Sequence, residues 1–293
     1  METANHSKPF VKWAGGKRQL LPELDKRLKA AFDGGGIDTY VEPFVGGGAV
    51  YFHVMANYGN AIKRAVINDI NADLMTAFTA VRSNPDGLIR ALSGLQDKYL
   101  NMDMEGKKAM YLETRERFNR KDDDLTDTAA MFMFLNKTCF NGLYRVNKQG
   151  KFNAPFSYSE NPNICDTYTL TRASETLQDT VILRTDYKET AESASPNTIF
   201  YLDPPYRPIS DTSAFTSYTP EGFDDEEQLE LMDFCHRIHD KGAKFILSNS
   251  DAGDGYFDEL YKDFKIERVQ ARRSINSKGE KRGKINELII TNF

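Results

Sequence analysis

The tetrapeptide Asp203-Pro204-Pro205-Tyr206 follows the apolar run 198–202. Two successive prolines cannot continue a central strand, so the chain must leave its sheet there. A carboxylate, a rigid peptide carbonyl and an aromatic ring are then held together at one edge. An exocyclic amine on a planar base needs two acceptors for its N–H groups and a flat surface for its ring. Asp203, the Pro204 carbonyl and Tyr206 supply those parts. A proline-stiffened turn with a solvent-facing aspartate and a core tyrosine uses the same residues, but it gives no reason for their order.

A second constellation is Glu42-Pro43-Phe44-Val45-Gly46-Gly47-Gly48, with Asp69 lying 21 residues beyond Gly48. A strand that ends in glycines lets backbone approach a ligand closely. An acid at the end of the next strand can hold both hydroxyls of a ribose. The spacing does not follow G-x-G-x-x-G, which disfavours a nicotinamide dinucleotide; a nucleoside ligand without a pyrophosphate fits better. Taken alone, the same residues are equally a tight turn and a helix-start aspartate.

Both constellations need strands to carry them, and short β-branched and aromatic runs do alternate with helical patterns, the mark of an α/β fold. Strands are predicted at 39–45, 64–69, 180–184, 198–202, 243–248, 265–270 and 287–291. Helices are predicted over 49–58, from a cap at Asn71 through 81, and over 224–240. From 85 to 135 the pattern is helical without a convincing strand, and 137–162 is polar, Gly/Asn-rich and loop-like. A parallel-type sheet is thus interrupted by about ninety residues, too many for an ordinary connection. The expected division is a catalytic domain formed by 1–84 and 176–293, with 85–175 inserted.

Length and composition bound the class. With 293 residues, 40% of them hydrophobic, the chain can bury a sizeable core and is not disordered. No apolar run approaches the ~20 residues that span a bilayer, and the first residues lack a secretory core. Three cysteines without C-x-x-C spacing read as free thiols in a reducing compartment. A cytoplasmic protein is expected. Net charge is −5, yet residues 265–284 carry eight Lys/Arg against two Glu, and 137–151 carry four basic residues and no acid. A polyanion contacts one face, so such patches matter more than the net charge.

Asp-Pro-Pro-Tyr downstream of Phe-x-Gly-Gly-Gly resembles the adenine-N6 DNA methyltransferases. More closely, the segments Lys12-Trp13-Ala14-Gly15-Gly16-Lys17, 41–48, Asn141-Gly142-Leu143-Tyr144-Arg145-Val146-Asn147, Phe152-Asn153-Ala154-Pro155, 203–206, 272–277 and Glu287-Leu288 together are similar to the Dam family. The likeness runs from residue 8 to 292. It implies a class I, Rossmann-like methyltransferase that uses S-adenosylmethionine and carries a helical DNA-recognition insertion. Trp13, Lys17, Phe44, Gly46, Gly48, Asp69 and Asp203 then line the donor site, and Asp203, Pro204, Pro205 and Tyr206 the reacting one. By the same likeness Lys12, Phe140, Asn141, Leu143, Arg145, Asn147, Pro155, Arg272 and Arg273 face DNA. Arg145 reads a guanine and Phe140 stacks into the duplex. GATC is the implied target, double-stranded DNA the partner and a cognate restriction endonuclease a further one in some hosts; no obligatory protein partner is implied.

The chain departs from the family where F-N-x-P is commonly followed by F-G-R-Y, here Phe156-Ser157-Tyr158-Ser159. Thr138 and Cys139 also replace more usual residues. His236 and His239 have helical metal-ligand spacing, but no carboxylate or cysteine partner is signalled, and they read as packing residues. Rival readings are the same chemistry on another DNA sequence, on RNA or on a protein amide, and a DNA-binding module without turnover.

Overall fold

The structure, a computed structural model, describes residues 7–206, 223–251, 253–272 and 284–293. It divides into two compact units. One comprises Met1–Gly16, Gly46–Ala56 and Asp69–Arg184; the other comprises Lys17–Val45, Asn57–Asn68 and Thr185–Phe293. Its strands are β1 (Thr39–Glu42), β2 (Arg64–Asn68), β3 (Thr180–Leu183), β4 (Thr198–Leu202), β5 (Lys244–Ser250), β6 (Lys265–Arg272) and β7 (Lys284–Thr291). Among the described residues, no helix is long and apolar enough to cross a membrane.

Six of these strands belong to the second unit and stand in the order β2-β1-β4-β5-β7-β6. Those from β2 to β5 run parallel, and β7 is antiparallel to both of its neighbours. An open sheet of parallel strands closed by an antiparallel β7 inserted before β6 is the Rossmann-like arrangement expected for the methyltransferase class. β4 is buried at all five positions, as a strand covered on both faces must be. Val41 is level with Phe200 across β1 and β4, so the chain leaves both strands at one edge, at Pro43 and at Asp203. β1 stops three residues before the predicted 45, because Pro43 has no N–H to donate.

Two helices of the second unit are α1 (Leu21–Asp33) and α8 (Asp225–Asp240). α8 buries Leu231, Phe234, Cys235 and Ile238, one helical stripe, and the Phe234 ring meets Phe200 of β4 edge-on at 6.0 Å. Asp224 caps it through the amides of Glu226 and Glu227, beneath an acidic first turn. His236 and His239 both pack on the ring of Phe264.

The first unit holds β3, most of α2 (Ala49–Tyr58), α3 (Ala72–Ser83), α4 (Pro85–Leu100), α5 (Met104–Arg120), α6 (Leu125–Thr138) and α7 (Thr167–Leu177). Asn71 caps α3, its side-chain oxygen accepting from the Leu74 amide at 3.0 Å. α6 is buried at every residue from 129 to 136 and packs against α3, α4 and α5. Between α6 and α7 the chain folds back on itself, with antiparallel bridges Cys139↔Phe156 and Val146↔Phe152.

Candidate active site and DNA-facing loop

In the second unit, Asp203 leaves the end of β4 and its Oδ1 accepts from Lys17 Nζ at 2.8 Å. Ser248 of β5 approaches the same oxygen at 3.4 Å. The Lys17 ammonium also lies 4.5 Å over the ring of Tyr206. The Tyr206 hydroxyl donates to Oε2 of Glu287 on β7 at 2.6 Å. Burial pushes the Asp203 carboxyl above its ordinary value, while the Lys17 ammonium and the Ser248 hydroxyl pull it down. Glu287 is likewise raised by burial. Pro204 is buried and Pro205 half-buried. Phe44 stands in an aromatic group with Tyr187 at 4.9 Å and Phe223 at 6.3 Å.

In the first unit, the two oxygens of Asp69 accept from the amides of Gly46 at 3.1 Å and Asn71 at 2.9 Å. Burial outweighs both bonds and pushes the Asp69 carboxyl up to about 6. Gly46 has φ +49°, and a Cβ there would stand 3.0 Å from the Trp13 ring. The turn therefore passes close against the indole only because it lacks side chains. Trp13 also lies 5.4 Å from the ring of Tyr144.

The segment after α6 is held by one side chain. Asn136, 1% exposed, accepts from the Lys12 amide at 2.8 Å and donates to the carbonyls of Lys12 at 2.8 Å and Gly142 at 3.1 Å. Asn141 and Gly142 are both left-handed, and a Cβ on Gly142 would lie 2.4 Å from Lys12 Cδ. Phe140 is 53% exposed. Its amide donates to the Pro155 carbonyl at 2.9 Å, so these two candidate DNA residues stand side by side. Lys12, Asn141 and Pro155 are exposed and Leu143 is half-buried. Lys137 is lowered by burial and by the charges of Lys12 and Lys8, a local concentration of cations.

Arg145 and Asn153 face each other across the hairpin. Arg145 Nε donates to Asn153 Oδ1 at 2.8 Å and Nη2 to the Asn153 carbonyl at 2.7 Å. Asn147 is the turn-former: its oxygen accepts from the amides of Gln149 at 2.9 Å and Lys151 at 3.0 Å. Arg272 is the last residue of β6, level with Lys284, and Arg273 lies outside the described residues. Arg268, part of the same basic stretch, is tied to Asp251 at 2.9 Å and Asp258 at 2.6 Å.

Of the expected site residues, Lys17, Asp203 and Tyr206 come together in the second unit. Trp13, Gly46 and Asp69 do so in the first, as do Lys12, Phe140, Arg145 and Pro155 around the folded-back segment. Phe44 joins an aromatic group instead. Asn136, Asn153, Asp73, Tyr144 and Glu287 position these residues and were not foreseen as site residues. The first unit's residues fit a nucleoside: a half-buried acid that accepts from two amides and an indole against a glycine turn.

Comparison with known proteins agrees with this chemistry. A profile of the D12 class N6 adenine-specific DNA methyltransferases matches residues 13–275. The type II methyltransferase M.MjaIII of Methanocaldococcus jannaschii is 44% identical over 98% of the chain and 99% of its own length. M1.LlaDCHI of Lactococcus lactis subsp. cremoris, another type II methyltransferase, is 38% identical over 98% and 95%. The DNA adenine methylase of Escherichia coli K12 is 31% identical over 97% and 94%. With the motifs, the sheet order and a profile covering most of its length in agreement, the chain belongs to the D12 class of N6 adenine-specific DNA methyltransferases, enzymes whose methyl donor is S-adenosylmethionine.

Proposed function

We propose that the chain methylates N6 of adenine within GATC in double-stranded DNA, acting on a base flipped out of the helix. The observation that carries this reading is the group at the end of β4: Asp203 paired with Lys17, beside a Tyr206 ring whose hydroxyl is anchored on Glu287.

The flipped adenine stacks on Tyr206, at an unstacking cost of a few kcal/mol. Asp203 and the Pro204 carbonyl accept its two amino hydrogens. That draws the nitrogen lone pair out of conjugation and directs it outward. S-adenosylmethionine would supply a methyl group on a sulfonium: the nitrogen's lone pair would form the N–CH3 bond as the S–CH3 bond breaks, S-adenosylhomocysteine would leave with that electron pair, and the amino group would then give up one proton to solvent. Asp69 holds the donor's ribose, Trp13 and the Gly46–Gly48 turn flank it, and Lys17 meets its charged end. Positioning and charge stabilisation do most of the work. No thiol is called for, consistent with the buried Cys139, whose pKa burial pushes up to about 11.

Reading of the target rests on the folded-back segment. Arg145 meets guanine O6 and N7, Leu143, Asn147 and Pro155 line neighbouring pairs, Asn141 and Lys12 approach the recognition sequence, and Phe140 fills the gap left by the flipped base. Arg272 and Arg273 contact phosphates. On this reading 85–175 is the target-recognition insertion, and the enzyme works in the cytoplasm wherever DNA is exposed, beside a cognate endonuclease in hosts that have one. The type II names of the two relatives above favour that pairing.

The test is methyl transfer from labelled S-adenosylmethionine to a set of duplexes, one with GATC and others each with one base changed. Label confined to the GATC adenine is expected. Label in another context keeps the enzyme and removes GATC, pointing to Ser157–Ser159. Donor binding without label on any duplex turns the search to RNA or protein.

A further inference from the structure

Within the first unit, Trp13, Asp69 and Arg145 are joined by contacts that none of the roles above requires. The indole of Trp13 lies against Tyr144, ring centroids 5.4 Å apart and planes 30° from parallel. The Tyr144 hydroxyl donates to Asp73 Oδ2 at 2.8 Å. Lys121, left-handed at the end of α5, donates to the other oxygen of Asp73 at 2.5 Å. Asp73 is 9% exposed and stands in the first turn of α3, one turn beyond Asp69. Asp69 in turn holds the amide of Gly46, whose turn passes against Trp13. Together with the chain from Asp69 to Asp73 these contacts close a loop, and Tyr144 is covalently next to Arg145.

Packing alone does not explain the Tyr144 hydroxyl. A hydroxyl taken out of water without a partner costs of order ~2–7 kcal/mol; the part-buried Tyr144 hydroxyl avoids that cost through its bond to Asp73, whereas phenylalanine would fill the same space with no such requirement. Burial and the Asp73 charge raise the Tyr144 hydroxyl far above the tyrosine range, so it donates at every physiological pH. The bond fixes the ring between the indole on one side and the backbone of the reading segment on the other.

We propose that Tyr144 couples donor binding to guanine reading. A donor that settles against Trp13 and Asp69 biases the Tyr144 ring, and with it the backbone that carries Arg145. Linkage makes the effect reciprocal: DNA strengthens donor binding by the same factor. The proposal rests on the reading of Trp13 and Asp69 as donor residues and Arg145 as the guanine reader. Tyr144 touches neither reacting atom and is a positioning residue.

Trp13 is the chain's sole tryptophan, so its fluorescence reports the donor half directly. S-adenosylhomocysteine is titrated with and without a GATC duplex, and the duplex is titrated by anisotropy with and without S-adenosylhomocysteine. The wild-type coupling factor is expected at ~5-fold or more, the lower end of known couplings, and smaller on a duplex whose guanine is replaced. Tyr144→Phe keeps the ring and loses the bond to Asp73. Its factor is expected to fall toward one while each ligand alone binds close to wild type. Should Tyr144→Phe prove unstable in a thermal melt, Asp73→Asn, isosteric and uncharged, weakens the same bond and is read in the same way. A wild-type factor of one, or a factor unchanged in a folded variant, overturns the coupling. Wild-type protein that binds neither ligand removes the functional reading itself, a separate result.

Discussion

The Lys17 ammonium is shared between Asp203, at 2.8 Å, and the face of the Tyr206 ring, at 4.5 Å. Lys17 is 8% exposed and the Asp203 side chain 19%, so little water screens the pair. An amine proton needs an acceptor, and a protonated carboxyl offers less of one. Lys17 therefore does two things at once: it pulls the Asp203 pKa down against the cost of burial and engages Oδ1.

Lys17→Met should move the acid limb of the single-turnover pH profile upward, because the ammonium lowers the Asp203 pKa and its loss lets burial raise it further. Asp203→Ala should remove turnover outright, at least ~10²–10³-fold by comparison with other preorganised charge groups, and change DNA affinity far less. Near-normal single-turnover rates in Asp203→Ala, or an unmoved acid limb in Lys17→Met, would remove these roles.

Asp69 gives a pH dependence of its own. Its folded pKa, about 6, lies above the ~3.9 of an unfolded aspartate. Its contribution to stability is therefore fully present below about pH 4 and lost as pH rises through about 6. Ribose hydroxyls need the ionised form, so donor binding runs the other way. Affinity for S-adenosylhomocysteine should be level above about pH 7 and fall by up to ~tenfold per unit below about 6. Asp69→Asn should weaken binding at pH 8 and flatten that slope. A wild-type affinity that is flat from pH 5 to 8 would contradict it; Trp13 fluorescence measures it.

Arg145 presents a guanidinium already braced on one edge. Among the described residues, Nε and one hydrogen of Nη2 are committed to Asn153, and Nη1 and the outer side of Nη2 are not engaged. Such a fork loses less entropy on binding than a free one. Arg145→Ala should lose ~1–3 kcal/mol of discrimination at the guanine. Asn153→Ala should lose part of that while leaving donor affinity alone. The two variants combined should cost little more than Arg145→Ala, the non-additivity expected of residues in one network. Additive losses in methylation of matched and substituted duplexes would separate the two residues.

What the sequence made legible were features with local signatures. The strand 198–202 is legible at its observed limits, and Asn71 announces a cap that the structure contains. α1 has a helical stripe of Leu24, Leu28 and Ala31 behind a proline start, a pattern that lies outside the predicted helices. Site residues that act across the fold have no such mark. Tyr144 and Asp73 are 71 residues apart, and either is unremarkable in its own segment. Charge counting also misled at Arg268: the basic stretch includes it, but Asp251 and Asp258 neutralise it from a neighbouring loop and from helix α9 (Tyr256–Leu260). A run of cations says nothing about which of them tertiary structure has already paired.

Asn136 is the strongest case of a residue hidden from pattern. It is one amide on an otherwise apolar buried helix, and its three hydrogen bonds satisfy the Lys12 N–H and the Lys12 and Gly142 carbonyls. Leucine would fill the space and leave all three backbone groups unpaired, at ~1–3 kcal/mol each where water cannot reach them. The left-handed Gly142 adds to the constraint, since the Lys12 side chain occupies the place of a Cβ. Asn136→Leu should therefore lower the unfolding free energy by at least ~2 kcal/mol, read as a fall in denaturant midpoint at constant slope. Because the same amide joins the segment that begins at Lys12 to the one that carries Leu143 and Arg145, sequence discrimination should fall with it, even at temperatures where the variant is fully folded. A variant as stable and as selective as wild type would mean that the two segments hold their register without the clamp.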